Sequence, residues 1–175
     1  MRVKLHISLL GITVVRLVLE IDMLNKSLFV LILVITVGLA GILILRFHLP
    51  IGPCVLGLGI LPIAGLRLSG RKLSAALPDL VFGSIDTGLL AVPALAGGLA
   101  FGMVGAIVGG VIGDALTDAI AGFFEGGIAE WLRARGYVES REMVTTALGK
   151  MAGCLLGSGI VLTIAIIFGI NLQTT

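Results

Sequence analysis

Charge is what this chain has least of. Aspartate, glutamate, lysine and arginine supply 13% of its 175 residues, 12 basic and 10 acidic, about half the usual share of a soluble domain. So sparse a set cannot cover a water-facing surface, and a net charge of +2 carried on short stretches argues against a nucleic-acid-binding role. Cysteine is nearly missing as well. Cys54 and Cys154 stand far apart in apolar surroundings, without the paired spacing of a zinc or redox centre, and read as packing residues. Histidine is confined to His6 and His48, so a soft or transition metal has few ligands to use. No cleavable leader stands out: Leu5 to Ile21 contains Arg16 and Glu20 and lacks a small-residue cleavage site. It reads as an interfacial helix, or as an extension upstream of Met23.

What the chain has in excess is apolar length. Hydrophobic residues make up 58% of it, the mean hydropathy is +1.19, and several runs approach the roughly 20 residues that cross a bilayer core. The expected fold is an all-α, polytopic integral membrane protein. About five transmembrane helices, closely packed through glycine, account for its length. Ser27 to Leu45 is uncharged and is the clearest span. Pro50 to Leu66 carries Pro50, Pro53 and Pro62, which predicts a thin, tilted or broken crossing or a re-entrant segment. Pro78 to Leu99 crosses next, with Asp86 inside it and a kink expected at Pro93. Phe101 to Trp131 and Met143 to Ile170 complete the set. This divides the chain into an N-terminal interfacial helix or extension over 1–26, a first helical hairpin over 27–74 with a proline-broken second segment, and a three-helix acidic unit over 75–175.

Basic residues set the orientation. Arg67, Arg71 and Lys72 form one cluster and Arg133, Arg135 and Arg141 another, with two spans between them, so both belong on the same, inner face. The N-terminus is then inside and the C-terminus outside. Glu130, Glu139 and Glu142 read as solvated loop charges. The membrane expected is an inner or plasma membrane, crossed several times.

The stretch GDALTDAIAGFFEGG, residues 113–127, places Asp114, Asp118 and Glu125 together without a lysine or arginine among them. At about 100° per residue all three fall within roughly 40° of one line along a helix. Gly102, Ala106, Gly110 and Gly122 continue that line, and Gly105, Gly109, Gly113, Thr117 and Ala121 form the ridge beside it. Small residues at this spacing let another helix come close, so the acidic line is expected to face protein. Each ionised carboxylate left in hydrocarbon opposes insertion by about 2.5 to 3.5 kcal/mol. A turn near Gly102 sets Asp86 level with Asp118, and a turn near Tyr137 sets Lys150 level with Glu125 and Ser158 level with Asp118. Asp86, Asp114 and Asp118 then converge at mid-membrane, with Thr87, Thr117 and Ser158 supplying neutral oxygens. Glu125 and Lys150 also read as an interface couple. Oxygen ligands of this kind suit a hard cation such as Na⁺, Ca²⁺ or Mg²⁺, and a proton could compete for the same carboxylates. A cation transporter or exchanger, coupled to Na⁺ or H⁺, is the functional expectation. No internal repeat is evident, so a homodimer would supply the second half of a carrier.

The segments FGSIDTGLLAV, GGVIGDALTDAIAGFFEGGIAEWL and GKMAGCLLGSG resemble, in order and spacing, the family of the mitochondrial inner-membrane protein called transmembrane protein sixty-five and its prokaryotic relatives. The likeness covers about residues 80–165. It implies sodium-linked calcium exchange and assigns Asp86, Asp118 and Glu125 to the family's motif positions; Asp114 is an addition. Two other classes compete. Gly110, Asp114 and Asp118 share the G-x-x-x-D-x-x-x-D spacing that ends the CDP-alcohol phosphotransferase motif, although the upstream aspartates and Ala-Arg of that motif are missing, so the chain is not expected to be an enzyme. A non-catalytic assembly or scaffold subunit would use the acids to bind basic residues of another chain.

Overall fold

The computed structural model describes the backbone of residues 2–135 and 142–170, and side chains from residue 19 onward within those ranges except 124–126, 128–129 and 131–133. Its elements in chain order are α1 (Arg2–Arg46), α2 (Ile51–Leu58), α3 (Ile60–Leu68), α4 (Leu73–Ala134) and α5 (Met143–Ile167). Among the described residues four stretches are long and apolar enough to cross a membrane: Leu19–Arg46, Ile51–Leu68, Leu73–Phe123 and Met143–Ile167. Those residues form helices and no strand, as composition predicts, and the four stretches are compatible with a multi-pass membrane protein.

α1 contains no proline and runs unbroken past residue 26. Where charge enters it, Lys26 bonds Asp22 one turn earlier, an i,i+4 pair that supports the helix locally. It ends at Arg46, where His48 takes a positive φ of 51° and Leu49 precedes a proline.

The proline-rich segment is broken only locally. Pro62 has no N–H to offer the carbonyl of Leu58, and its ring crowds that carbonyl, so α2 stops at Leu58 and α3 starts two residues later. Gly59 between them stays in the right-handed helical region. Pro53 lies in the first turn of α2, where no donor is needed. The two pieces lie antiparallel along α5. A Cβ added to Gly52 would meet the Thr163 backbone, one on Gly159 the Leu56 backbone, one on Gly59 the Leu156 side chain and one on Gly65 that of Leu148. Contact therefore runs along the whole length of the two pieces.

α4 is a helical hairpin. Helical geometry persists through Pro93, where a kink was expected, and fails at Phe101 (φ −134°, ψ 15°) and Gly102 (φ 63°, ψ −147°). A side chain at Gly102 would strain that backbone. The two arms, 73–100 and 103–134, return antiparallel: a Cβ on Gly105 would lie 2.0 Å from the Gly97 carbonyl oxygen, and one on Gly109 2.1 Å from that of Pro93.

α5 is the helix on which the others pack. It runs parallel to the first arm of α4, with Gly149 against Ala76, Gly153 against Leu80 and Gly157 against Ser84. The Cβ positions at Gly153 and Gly157 fall 2.2 and 2.1 Å from the carbonyl oxygens of Leu80 and Ser84. The hydrogen standing there instead points at the oxygen, a weak Cα–H···O contact that recurs where helices approach closely. Near the start of α5, Leu66, Ala76, Val144 and Leu148 form the buried cluster, with Phe29, Val30, Leu33, Leu73 and Met151 packed on it. Above it Arg71, its side chain only 16% exposed, forms an ion pair with Glu142 and donates from Nη1 to the Thr145 hydroxyl at 3.2 Å. That hydroxyl donates on to Glu142 at 3.2 Å. Glu142 is the solvated charge that its position suggested, its side chain 65% exposed, and it also pairs with the Arg71 guanidinium across the start of α5.

The packing predicts a sharp contrast between glycines. Gly157→Ala places a methyl group against fixed backbone and should lower the unfolding temperature in detergent by roughly 5 °C. Gly122→Ala meets nothing within 4 Å and should leave it unchanged or slightly raised. Thermal unfolding followed by circular dichroism measures both.

Candidate functional site

The register of the α4 hairpin decides what Asp86 faces. Contacts between the arms step from Gly97 with Gly105, through Pro93 with Gly109, to Leu90 with Gly113. One further turn sets Asp86 opposite Thr117, a residue away from the level expected. Along α5 the steps of Ala76 with Gly149, Leu80 with Gly153 and Ser84 with Gly157 put Asp86 level with Gly159, beside Ser158. Asp86, Thr117 and Ser158 thus occupy one level of the bundle.

Their hydrogen bonding suits an oxygen site. Thr117, 7% exposed, donates its hydroxyl proton to the Asp114 carbonyl oxygen at 3.2 Å. Ser158 donates to the Cys154 carbonyl oxygen at 2.6 Å. Both hydroxyls commit their proton to their own helix and keep lone pairs available to a cation. Thr87, next to Asp86, is half-buried. Asp86 is half-buried too, and its Oδ1 is fully enclosed with no hydrogen-bond partner. Native folds leave few polar atoms in that state, and those they leave call for an explanation such as a ligand.

Asp114 and Asp118 lie elsewhere on the helix circumference. The expectation that their line packs against protein is overturned within this chain: both are exposed, amid the exposed side chains of Val111, Ile112, Leu116 and Ile120. The physical reason is the ridge beside them. Gly105, Gly109 and Gly113 allow backbone-to-backbone contact with the first arm, and Thr117 closes the same ridge. At about 100° per residue Asp114 and Asp118 stand roughly 60° and 100° around from Thr117, off the contact. Neither forms an ion pair among the described residues. Among those residues no group of three histidine, cysteine, aspartate or glutamate side chains is placed to hold a metal ion, so one chain does not gather Asp86, Asp114 and Asp118 into a single ligand set. The side chain of Glu125 lies outside the described residues. Lys150, its expected partner, holds its ammonium 4.9 Å from the centre of the Phe82 ring, a cation–π contact that gives the charge a seat on α4.

Asp79 is the acid that spacing left out. It is 8% exposed, with its Cβ 3.0 Å from where Gly149 would carry one, and it has an interaction partner of its own. It stands seven residues before Asp86, about 20° around the helix, so the heptad spacing of the two aspartates was a legible sign that they share a face.

Comparison with known proteins finds no family model, no characterised protein and no solved structure that matches the chain.

Buried Asp79 and half-buried Asp86 should behave oppositely on truncation. Asp86→Ala removes an enclosed, unsatisfied oxygen and should raise the unfolding temperature in cation-free detergent, because such an atom costs about 1 to 3 kcal/mol. Asp79→Ala removes a partnered one and should lower it. Equal losses from both would show that the Asp86 oxygen is satisfied.

Proposed function

We propose that this chain is a non-enzymatic membrane cation carrier, an exchanger of Ca²⁺, Na⁺ or Mg²⁺ coupled to Na⁺ or H⁺, working as a homodimer in an inner or plasma membrane. One observation carries the reading: Asp114 and Asp118 stand one turn apart on the outward side of an apolar helix arm, exposed and without an ion-pair partner among the described residues. With the Gly102 turn at the membrane surface, they lie about 18 and 24 Å below it, within a core about 30 Å thick. Two bare carboxylates there oppose insertion by several kcal/mol. A second copy of the same arm would shield them from lipid, and a cation between the copies would balance charges that otherwise repel. Asp86, Thr117 and Ser158 lie at the same depth behind them, with Thr87 beside Asp86, and offer oxygens for the ion's path. Glu125 takes the place nearest the inner face.

The proposed topology has five crossings, with the N-terminus inside and the C-terminus outside. The hairpin supports it: counting each arm of α4 as a crossing returns the chain to the end where Arg67, Arg71 and Lys72 sit, the arrangement that the positive-inside rule favours.

The same exposed acids support a second reading, an assembly subunit whose partner brings a basic residue into mid-membrane. Flux separates the two. Native chain in proteoliposomes should move Ca²⁺, Na⁺ or Mg²⁺ down imposed ion or pH gradients, and Asp118→Asn should slow this roughly tenfold or more, the effect of losing a charged ligand. Native-like flux in the mutant would sink the assigned site. Absence of flux for every ion, with a co-purifying chain carrying a mid-span Arg or Lys, would establish the assembly role instead.

A further inference from the structure

A groove at the other side of the bundle has the shape and charge of a lipid site. It lies between α1 and the start of α5, encloses about 330 Å³ and is lined by Lys26, Ser27, Val30, Val34, Val144 and Ala147 among others. Its walls are aliphatic along their length, and its polar groups, the Lys26 ammonium and the Ser27 hydroxyl, stand together at one end. That end belongs to the basic side of the molecule. Val30 and Leu33 pack on the cluster of Leu66, Val144 and Leu148, so Lys26, one turn before Val30, is level with the turn that carries Arg67, Arg71 and Lys72.

The charge balance at this rim favours an anion. Lys26 is bonded to Asp22 and Arg71 to Glu142, which leaves Arg67 and Lys72, both exposed, as the surplus. Lys26 is itself 38% exposed and has three donors, so it can bind a phosphate without leaving Asp22. The first turn of α5 borders the groove through Met143 and Val144.

The packing of α1 leaves the groove open to an occupant. Within its most apolar window 6% of α1 is buried, as in α4, against 28% for α5, and Phe29, Val30 and Leu33 make its contact with the buried cluster. A second copy of the chain would bring like charge to a rim already basic. An amphiphile with an apolar chain and an anionic head matches both ends of the groove.

We propose that this groove binds an anionic phospholipid, with one acyl chain between α1 and α5 and the phosphate on Lys26 and Ser27. The lipid completes the seat of α1 at the membrane end where basic pockets between helices hold acidic head groups. The site is separate from the carboxylates of α4 and is tested without ion flux.

The full chain in mild detergent is exposed to equal amounts of phosphatidylglycerol and phosphatidylcholine with matched oleoyl chains, and retained lipid is read by native mass spectrometry. Native protein should keep one phosphatidylglycerol in preference to phosphatidylcholine by about fivefold, the effect of one basic group near a head group. Lys26→Gln, on an exposed helix surface, should bring that ratio to parity. Ala147→Trp, and independently Val30→Phe on the opposite wall, should abolish retention by filling the groove. Soluble glycerol phosphate should not compete. Equal retention of the two lipids by native protein, an unchanged preference in Lys26→Gln, or displacement by glycerol phosphate would each overturn the proposal. If neither groove-filling variant folds, the Lys26→Gln ratio decides it alone.

Discussion

Along α5, Gly149, Gly153 and Gly157 turn toward α4 while Gly159 turns toward α2. Neighbouring backbones come so near that an ordinary Cβ at Gly153 or Gly157 would overlap a carbonyl oxygen. Helices in lipid gain little from burying apolar side chains, since the solvent is equally apolar, and associate instead through close van der Waals contact between small residues. The glycines of α5 supply that contact on two sides at once. The first arm of α4 and the paired helices α2 and α3 are therefore both registered on one rod, and the levels of all other residues follow from it.

The same economy governs the second arm of α4. Two ridges of small residues run along it side by side; Ala106 and Gly110 of the acidic line come near Gly98 and Ala94, but the backbone-to-backbone approach belongs to the other ridge. The ridge of Gly105, Gly109 and Gly113 meets it, since a contact made of bare backbone is closer than one containing aspartate side chains. The acids are left on the outer side of the hairpin, with Asp86 behind them inside it. A carboxylate pair facing away from its own chain, and an enclosed aspartate oxygen without a partner, are each unfavourable in an isolated subunit. Both unfavourable features lie at one level of one hairpin. The lipid groove lies across α5 from this region, at the basic end, where the needs are different: α1 is exposed along most of its apolar length, and the rim carries surplus positive charge.

Much of this was legible from residue order. The hairpin turn at Gly102 and the depth of Asp86 followed from an uncharged glycine connection and from counting residues on either side of it. Pro62 marked the break between α2 and α3, because a missing N–H acts on the same chain four residues away. At Pro93 helical φ/ψ continue, since a long helix packed along one side can lose one hydrogen bond there and remain helical. Arg71 read as one of the basic residues that set orientation and Glu142 as a loop charge, since nothing in their spacing of 71 positions tells that the α3 to α4 turn folds over the start of α5. Asp79 was missed although its separation from Asp86 placed both on one helix face.

By itself the sequence determined that this chain is helical and apolar enough over several stretches to cross a membrane, because those properties depend on local apolar length and on the cost of unpaired backbone in lipid. It also determined which residues share a helix face and at what depth, since helical periodicity is local geometry. The tertiary structure alone decided which of two adjacent faces is covered. That choice turns on competition between glycine ridges some 60° apart, settled by how near two backbones can approach, and it leaves Asp114 and Asp118 on the outside of the subunit.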